Sequence, residues 1–292
     1  MTGTALVLGG GGVTGIAWEF GILAGLAEAG LDLTRADLVV GTSAGSVVGA
    51  IVTSGEPIEA AYARQVEPSR ATTERPARVG LGLVLRYARS ALDRDEQRAR
   101  ARIGAMALAT RTVPEQERRD IIAARLRDAT WPTAQRLLVT AVAADDGSFV
   151  VFDRDSGVPL ADAVAASCAV PGVWPPVTIT LPAHGSARPT AARRYIDGGT
   201  RAPANVDLAA DADTVVVLAP ISLAMRPSMR VPRQVAALPA NTRSVVVSPD
   251  AAARQAIGRN VLDPAHRAAA ARAGRAQAAT VLHTIREVWP TS

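Results

Sequence analysis

Apolar and polar positions are grouped along the chain so that strands and helices are predicted in turn. An apolar run at residues 4–8 leads into a glycine loop, and apolar residues then recur at helical spacing over residues 16–29. A second apolar run, residues 37–40, ends at Gly41 and is followed by a small-residue helix over residues 43–54. This alternation of strands and helices predicts an α/β fold with a mostly parallel central sheet.

The rest of the chain continues this pattern, with one interruption. Further strands are predicted at 136–143, 149–152, 177–181, 214–218 and 244–247, and helices at 57–66, 160–169 and 263–288. Residues 67–135 contain little β-branched apolar sequence, and we interpret them as a helical insertion that is either a structural appendage or a cap over the site. Helical patterns within it cover residues 79–92, 93–110 and 114–128. Residues 1–292 are therefore predicted to form a single three-layer α/β/α domain.

Composition changes this picture only in its details. Hydrophobic residues make up 48% of the chain but aromatic residues only 3%, which predicts an aliphatic core. The formal net charge is +5, and all 32 basic residues are arginines. These arginines are scattered among acidic residues, whereas a nucleic-acid-binding tail would be a continuous basic block. We therefore expect no nucleic-acid partner.

Cysteine content and hydropathy indicate an intracellular protein. Cys168 is the only cysteine, so the chain has no internal disulfide and no cysteine-based metal site, and we interpret Cys168 as a small buried apolar residue. No signal peptide is evident at the amino end. Residues 38–55 carry no charge, but their many Gly, Ser and Thr residues favour a buried strand–turn–helix over a membrane span. We expect a cytoplasmic location.

The sequence Gly41-Thr42-Ser43-Ala44-Gly45 lies at the predicted junction between a strand and a helix. A sharp turn there would expose the Ser43 hydroxyl at the strand end, next to the free N–H groups that begin the helix. Gly41 and Gly45 would allow the strand and the helix to approach closely. This geometry suits a nucleophile, although a simple glycine-softened turn with a solvated serine is the alternative.

A serine nucleophile needs a base to take its proton, and the chain offers two kinds. Asp197 follows a short apolar run and precedes Gly198 and Gly199, so its carboxylate would lie at a strand end with little around it. The histidines (His184, His266 and His283) lack such a turn, and we interpret them as ordinary surface or helix residues. A triad with His184 as the base remains an alternative, as does an ordinary Asp-Gly turn at Asp197.

The glycine loop after the first strand could supply the third part of such a site. Backbone N–H groups of Gly10, Gly11 and Gly12 can converge on one point, as an oxyanion hole requires. The same loop spells Gly10-x-Gly12-x-x-Gly15, the pattern of a dinucleotide-binding turn. That function requires an acidic residue at the end of the second strand, where this chain has Val40-Gly41. A nicotinamide-dependent oxidoreductase is therefore disfavoured.

Taken in order, these motifs resemble those of the patatin-like phospholipase family. The family pattern Gly-Gly-Gly-x-Arg/Lys-Gly matches residues 10–15, except that Thr14 replaces the basic residue. The nucleophile motif matches residues 41–45, and the Asp-Gly-Gly motif matches residues 197–199. Residues 166–176 resemble the family's Ala-Ser-x-Ala-x-Pro…Phe-Pro-Pro segment with Trp174 in place of Phe, and Asn205 follows the Asp motif as it often does in the family.

The resemblance implies a Ca²⁺-independent lipid acyl hydrolase with Ser43 as nucleophile and Asp197 as base. It implies no metal and no cofactor, a lipid or ester as substrate, and a transient contact with a membrane surface. The missing basic residue at Thr14 leaves phospholipids and simpler esters both open as substrates. A close variant would transfer the acyl group to an alcohol. A regulatory or lipid-binding protein that keeps the fold with little turnover is the alternative from another class.

Overall fold

A central sheet organises the fold, and the computed structural model describes residues 3–67, 87, 93–180, 192–224 and 226–290. Eight strands form the sheet: β1 (Thr4–Leu8), β2 (Leu38–Gly41), β3 (Arg136–Ala143), β4 (Phe149–Phe152), β5 (Val177–Ile179), β6 (Arg193–Asp197), β7 (Thr214–Leu218) and β8 (Arg243–Val247). Their order is β5-β6-β3-β2-β1-β7-β8, with β4 paired to β3. The pairs β3–β2, β2–β1, β1–β7 and β7–β8 are parallel. The pairs β3–β4, β3–β6 and β5–β6 are antiparallel.

Helices cover both faces of this sheet. The α-helices are α1 (Gly12–Glu28), α2 (Ala44–Val52), α3 (Ile58–Val66), α4 (Glu96–Ala109), α5 (Glu115–Leu126), α6 (Leu160–Ser167), α7 (Val231–Ala236), α8 (Ala251–Ile257) and α9 (Arg267–Val288). Successive side chains of β1 point into hydrophobic cores on opposite faces of the sheet. Leu6 and Leu8 pack with α1, α2 and α9 on one face. Ala5 and Val7 pack with Val206 and other residues on the other face. Because strand residues alternate between faces, this division shows a layer on each side of the sheet.

The longest helix, α9, crosses α1 at very short range. A Cβ on Gly21 would lie 2.1 Å from the carbonyl oxygen of Ala271, and one on Gly274 would lie 2.4 Å from that of Trp18. A buried hydrogen bond of 2.9 Å from the Trp18 indole to Gln277 ties the two helices together. This contact fixes α1, and with it the glycine loop at its start.

The predicted α/β fold class is confirmed, with shifts at several element ends. Strands β1, β3, β4 and β7 have the predicted bounds, but β5 ends at Ile179 rather than at residue 181. Helix α1 begins at Gly12 rather than at residue 16, so part of the predicted glycine loop is helical. Helices α7 and α8 were not predicted, and a 3₁₀ turn at Pro264–His266 precedes α9.

Helices α4 and α5 lie in the segment that we interpreted as a helical insertion. Their bounds agree with the patterns at 93–110 and 114–128 to within a few residues. The third pattern, residues 79–92, lies almost entirely outside the described residues. That residues 67–135 are an insertion into one domain spanning the chain stays a prediction.

Candidate active site

The junction between β2 and α2 is a sharp turn that only glycine permits on either side of Ser43. A Cβ on Gly41 would lie 2.6 Å from the Cα of Ser46, and one on Gly45 would lie 2.1 Å from the carbonyl oxygen of Leu8. Ser43 itself has a φ of 52° and a ψ of −114°, a backbone conformation that non-glycine residues rarely adopt. Such strain costs about 1–3 kcal/mol and persists only where the surroundings enforce it.

Three neighbouring side chains hold the Ser43 backbone in this conformation. The Ser43 N–H donates to Oγ of Ser167 over 2.9 Å. Its carbonyl oxygen accepts from Oγ of Ser46 at 2.7 Å and from Sγ of Cys168 at 3.3 Å. Cys168 is buried, as predicted, and its thiol also donates a hydrogen bond to the turn at Ser43. Burial raises the pKa of that thiol to about 11, so it stays protonated at neutral pH.

The antiparallel strand β6 brings Asp197 to the same place. Strand β3 pairs with β2 over residues 136–139, and then with β6 over residues 141–143. Strand β4 pairs with β3 over residues 139–142, so β2 and β6 must share the other edge of β3. Because β6 runs opposite to β2, the carboxyl ends of the two strands meet, and Asp197 lies beside the turn that carries Ser43.

Asp197 is a buried carboxyl group with an altered acidity. Its side chain accepts a hydrogen bond from the Gly199 N–H at 2.7 Å, and the residue is 6% exposed. Burial raises the pKa of Asp197 to about 6, while hydrogen bonds from Ser43 and Gly199 and the charge of Arg118 oppose the rise. A carboxylate with a pKa close to neutral pH can accept a proton and later return it.

Ser43 and Asp197 line one cavity of about 350 Å³ together with Gly10, Gly11 and Gly12. Most of its remaining wall is apolar and includes Ala99, Ile103, Val170, Pro203, Leu223, Met229, Val261 and Leu262. Three arginines, Arg100, Arg201 and Arg226, also line this wall. A cavity of this size and lining fits an aliphatic chain next to the two reactive side chains.

The glycine loop presents fewer free N–H groups than the sequence predicted. The Gly10 N–H donates to the carbonyl oxygen of Pro203 at 2.7 Å, so it is not available to an oxyanion. Within the described part of the chain, no acceptor pairs with the Gly11 or Gly12 N–H. A Cβ on Gly10 would lie 3.6 Å from the Cβ of Ser43, which is an ordinary contact distance, so Gly10 is close to the serine but space alone does not require glycine there. The donor set is thereby revised to Gly11 and Gly12, at the start of α1.

Thr14 anchors the loop rather than facing the cavity. It is fully buried, and both its N–H and its hydroxyl donate to the carbonyl oxygen of Val261, each at 3.2 Å. Gly12 packs against the same segment, since a Cβ there would lie 2.6 Å from that oxygen. The residue that departs from the family motif thus fixes the position of the loop.

A buried polar network lies next to the Ser43 turn, and the sequence pointed to only one of its members, Asn205. The Asn205 amide donates to Oγ1 of Thr42 and to the carbonyl oxygen of Ala202, each at 3.0 Å, and Thr140 donates to Oγ1 of Thr42 at 3.0 Å. Asn205 has a φ of 50° and is fully buried. Thr42 directly follows β2 and Thr140 lies within β3, 98 residues later, so no local pattern could link them.

The two histidines among the described residues, His266 and His283, show no contact with Ser43 or Asp197. His266 bonds through Nδ1 to the carbonyl oxygen of Ala256, and His283 is an exposed partner of Glu287 on α9. His184 lies outside the described residues. A search of the described ranges for three or more His, Cys, Asp or Glu side chains that could share a metal ion found none.

A sequence profile describing patatin-like phospholipases matches residues 6–210. The chain belongs to the patatin-like phospholipase family. The match includes the glycine loop, the turn at Ser43, and Asp197 with the glycines that follow it. A search of curated proteins found no significant match.

Solved structures similar to this family member include those of VipD and ExoU. VipD from Legionella pneumophila aligns with a TM-score of 0.44 at 13% identity, over 97% of this chain and 67% of VipD. The type III effector protein ExoU aligns with a TM-score of 0.41 at 18% identity, over 97% of this chain and 53% of ExoU. The chain thus spans about half the length of the ExoU chain.

Ser167→Ala should weaken the site without touching the reactive atoms. The substitution leaves the buried Ser43 N–H without its acceptor, which costs about 1–3 kcal/mol. We expect a lower free energy of unfolding in urea and a lower kcat. Ser54→Ala is the matched control, since Ser54 is exposed and bonds only within α2 and its end. An unchanged kcat in Ser167→Ala would show that the Ser43 conformation does not depend on this bond.

Arg118 should tune the acidity of Asp197. This arginine is 4% exposed, lies over the Trp174 ring at 4.2 Å, and borders a small recess with Gly12 and Ser43. Its charge lowers the pKa of Asp197. In Arg118→Gln we therefore expect the acidic limb of the pH–rate profile to move to higher pH, while Arg118→Lys keeps the charge and should leave the limb nearer its original position. A shift of equal size in both variants would contradict an electrostatic effect.

Proposed function

We propose that this patatin-like protein is a serine acyl hydrolase that cleaves lipid or simple carboxylic esters. The observation that carries the proposal is the meeting of Ser43, Asp197 and the N–H groups of Gly11 and Gly12 at one apolar cavity. No metal or cofactor enters the proposed reaction. The coarser conclusion, a lipid hydrolase, also follows from membership of the family.

In the first half-reaction Ser43 becomes acylated. The Asp197 carboxylate takes the proton from the Ser43 hydroxyl while Oγ forms a bond to the ester carbonyl carbon. The carbonyl oxygen becomes an oxyanion, which the N–H groups of Gly11 and Gly12 stabilise at the positive end of α1. The C–O bond to the alcohol then breaks, and Asp197 returns its proton to the leaving oxygen.

In the second half-reaction water replaces the alcohol. Asp197 takes a proton from the water as its oxygen bonds to the acyl carbon, and a second oxyanion forms against the same donors. The bond from the acyl carbon to Oγ of Ser43 breaks, and the proton on Asp197 returns to Oγ. A fatty acid leaves. An alcohol in place of the water would give acyl transfer by the same steps.

A transient contact with a membrane surface is part of the proposal, because a lipid substrate must leave a bilayer or micelle. Leu223 lines the cavity and is 72% exposed, which places an apolar side chain at its rim. In the part of the chain that the structure describes, no helix has the length and hydropathy of a membrane span. Co-sedimentation with liposomes measures the proposed contact, and its absence would count against docking.

A lipid-binding or regulatory protein with negligible turnover is the second candidate. It is favoured by the absence of the family's basic residue, since Thr14 is buried against Val261 and supplies no charge. Incubation with an alkyl fluorophosphonate followed by intact-mass measurement separates the candidates. A single covalent adduct, with fatty-acid release from decanoyl esters, supports the hydrolase. No adduct, with decanoic acid still bound, supports the binding protein.

A further inference from the structure

Three arginines from separate parts of the chain meet on the wall of the cavity that contains Ser43. Arg100 lies in the first turns of α4, Arg201 follows β6 after the Asp197 motif, and Arg226 lies ahead of α7. Glu96 is the only acidic residue besides Asp197 among the described residues of this wall. The rest of the wall is largely apolar, so a cluster of cations there is not explained by packing.

The three arginines differ in how their charge is compensated. Arg201 forms two bonds to the carboxylate of Asp207, at 2.9 and 2.7 Å, and lies over the Phe149 ring at 4.2 Å. Arg100 donates from Nε to the carbonyl oxygen of Gly147 at 2.7 Å, and Arg226 donates to the carbonyl oxygen of Asp93. Within the described ranges, neither Arg100 nor Arg226 forms an ion pair. Carbonyl oxygens orient their guanidinium groups without neutralising them.

These charges are close enough to repel one another. Burial is the largest effect that lowers the pKa of Arg100, and the charges of Arg201 and Arg226 lower it further. The carboxylate of Glu96, which is the largest charge effect on Arg100, and that of Asp95 raise this pKa and so act in the opposite direction. Like charges that converge at a partly buried site destabilise the fold unless an anion binds between them.

The backbone also holds Arg100 in place. A Cβ on Gly147 would lie 2.2 Å from the carbonyl oxygen of Gln97, so the turn between β3 and β4 packs directly on α4. The Gly147 carbonyl oxygen that accepts from Arg100 belongs to this rigid contact. An anion arriving in the cavity would therefore meet a guanidinium group that is already oriented, which limits the entropy lost on binding.

We propose that Arg100 and Arg226 form a subsite for an anionic group, phosphate or carboxylate, on an amphiphilic ligand whose alkyl or acyl chain occupies the apolar part of the cavity. The proposal also applies to substrates, and that part of it rests on the proposed function. The substrate class is then acyl esters that carry a negative charge. The paired N–H donors of a guanidinium group match the spacing of the oxygens in a phosphate or carboxylate group. Arg100 and Arg226 are therefore suited to bind such a group.

Binding of ligands without an ester bond tests the subsite separately from catalysis. Calorimetry on the full chain would compare decyl phosphate, decanoate and 1,2-decanediol below their aggregation concentrations. We expect both anions to bind more tightly than the diol, and the tighter of the two identifies the preferred group. Equal affinity for all three would overturn the proposal.

Three variants separate charge from damage to the fold. In Arg100→Gln we expect the affinity for the preferred anion to fall roughly tenfold to a hundredfold, with little change for the diol. In Glu96→Gln we expect it to rise, because an opposing carboxylate is lost. Arg98→Gln is the matched control on the same helix, since its side chain is 63% exposed and does not line the cavity. Equal losses in Arg100→Gln and Arg98→Gln, or a loss in Glu96→Gln, would contradict the proposal.

Kinetics then connect the subsite to the reaction. We expect kcat/KM for 1-decanoylglycerol 3-phosphate to exceed that for 1-decanoylglycerol, and Arg100→Gln to reduce this preference mainly through KM. Equal kcat/KM for the two esters in the wild type would overturn the proposed substrate class while leaving the hydrolase intact. If neither ester is cleaved but decyl phosphate still binds through Arg100, the proposed function fails and the anion subsite stands.

Discussion

Ser43→Ala should abolish covalent labelling by a fluorophosphonate and reduce ester hydrolysis by on the order of 10⁴-fold or more. The reason is that the hydroxyl at the β2–α2 turn is the group that would form the acyl-enzyme, and alanine leaves only binding and the N–H donors of the glycine loop. Intact mass before and after labelling, together with the rate of decanoate release, gives both readouts on one sample.

The fold should tolerate this substitution. The Ser43 bonds to Ser167, Ser46 and Cys168 all involve its backbone atoms, so alanine keeps them. Ser54→Ala provides a control serine just beyond the other end of the same helix and should label like the wild type. Labelling of Ser43→Ala at the wild-type rate would mean that another side chain reacts, and the dyad would then be wrong for this chain.

Sequence reasoning located the turn at Ser43 because its signal is local. An uncharged strand, a glycine two residues before the serine, another two residues after it, and a small-residue helix all lie within 20 residues. The close approach of strand and helix explains each glycine. Asp197 was found in the same way, from the glycines that follow it. The side-by-side placement of the two residues depends instead on the antiparallel direction of β6, which no pattern within the strand encodes.

Other parts of the site depend on contacts between distant segments. The sequence could not show that the carbonyl oxygen of Pro203 accepts a hydrogen bond from the Gly10 N–H. Nor could it show that Arg118, on α5, lies close enough to Asp197 to affect its pKa. The convergence of Arg100 and Arg226 is of the same kind. Helices α7 and α8 were missed because they are short, with six and seven residues, and tertiary packing rather than periodicity decides such segments.

Asp197→Asn should reduce kcat/KM by about 10²–10⁴-fold, the contribution expected of a general base. In the wild type we expect kcat/KM to rise about tenfold per pH unit up to a pKa of about 6, since only the carboxylate accepts the Ser43 proton, and then to level off. The variant should lack this limb. Asp211→Asn is the control, because Asp211 is exposed. A wild-type limb that persists in Asp197→Asn would assign the titration to another group.

The same substitution should stabilise the protein at neutral pH, which separates lost chemistry from lost structure. The folded-state pKa of Asp197 is raised, so between pH 4 and 6 the unfolded chain loses this proton first, and stability falls as the pH rises through that window. Above pH 6 the cost is about 3 kcal/mol, since each pKa unit corresponds to about 1.4 kcal/mol. Asparagine carries no charge, and its side-chain oxygen can still accept from Gly199. In urea titrations the variant should match the wild type near pH 4 and exceed it above pH 6. An inactive variant that is less stable at pH 8 would instead point to a structural role for Asp197.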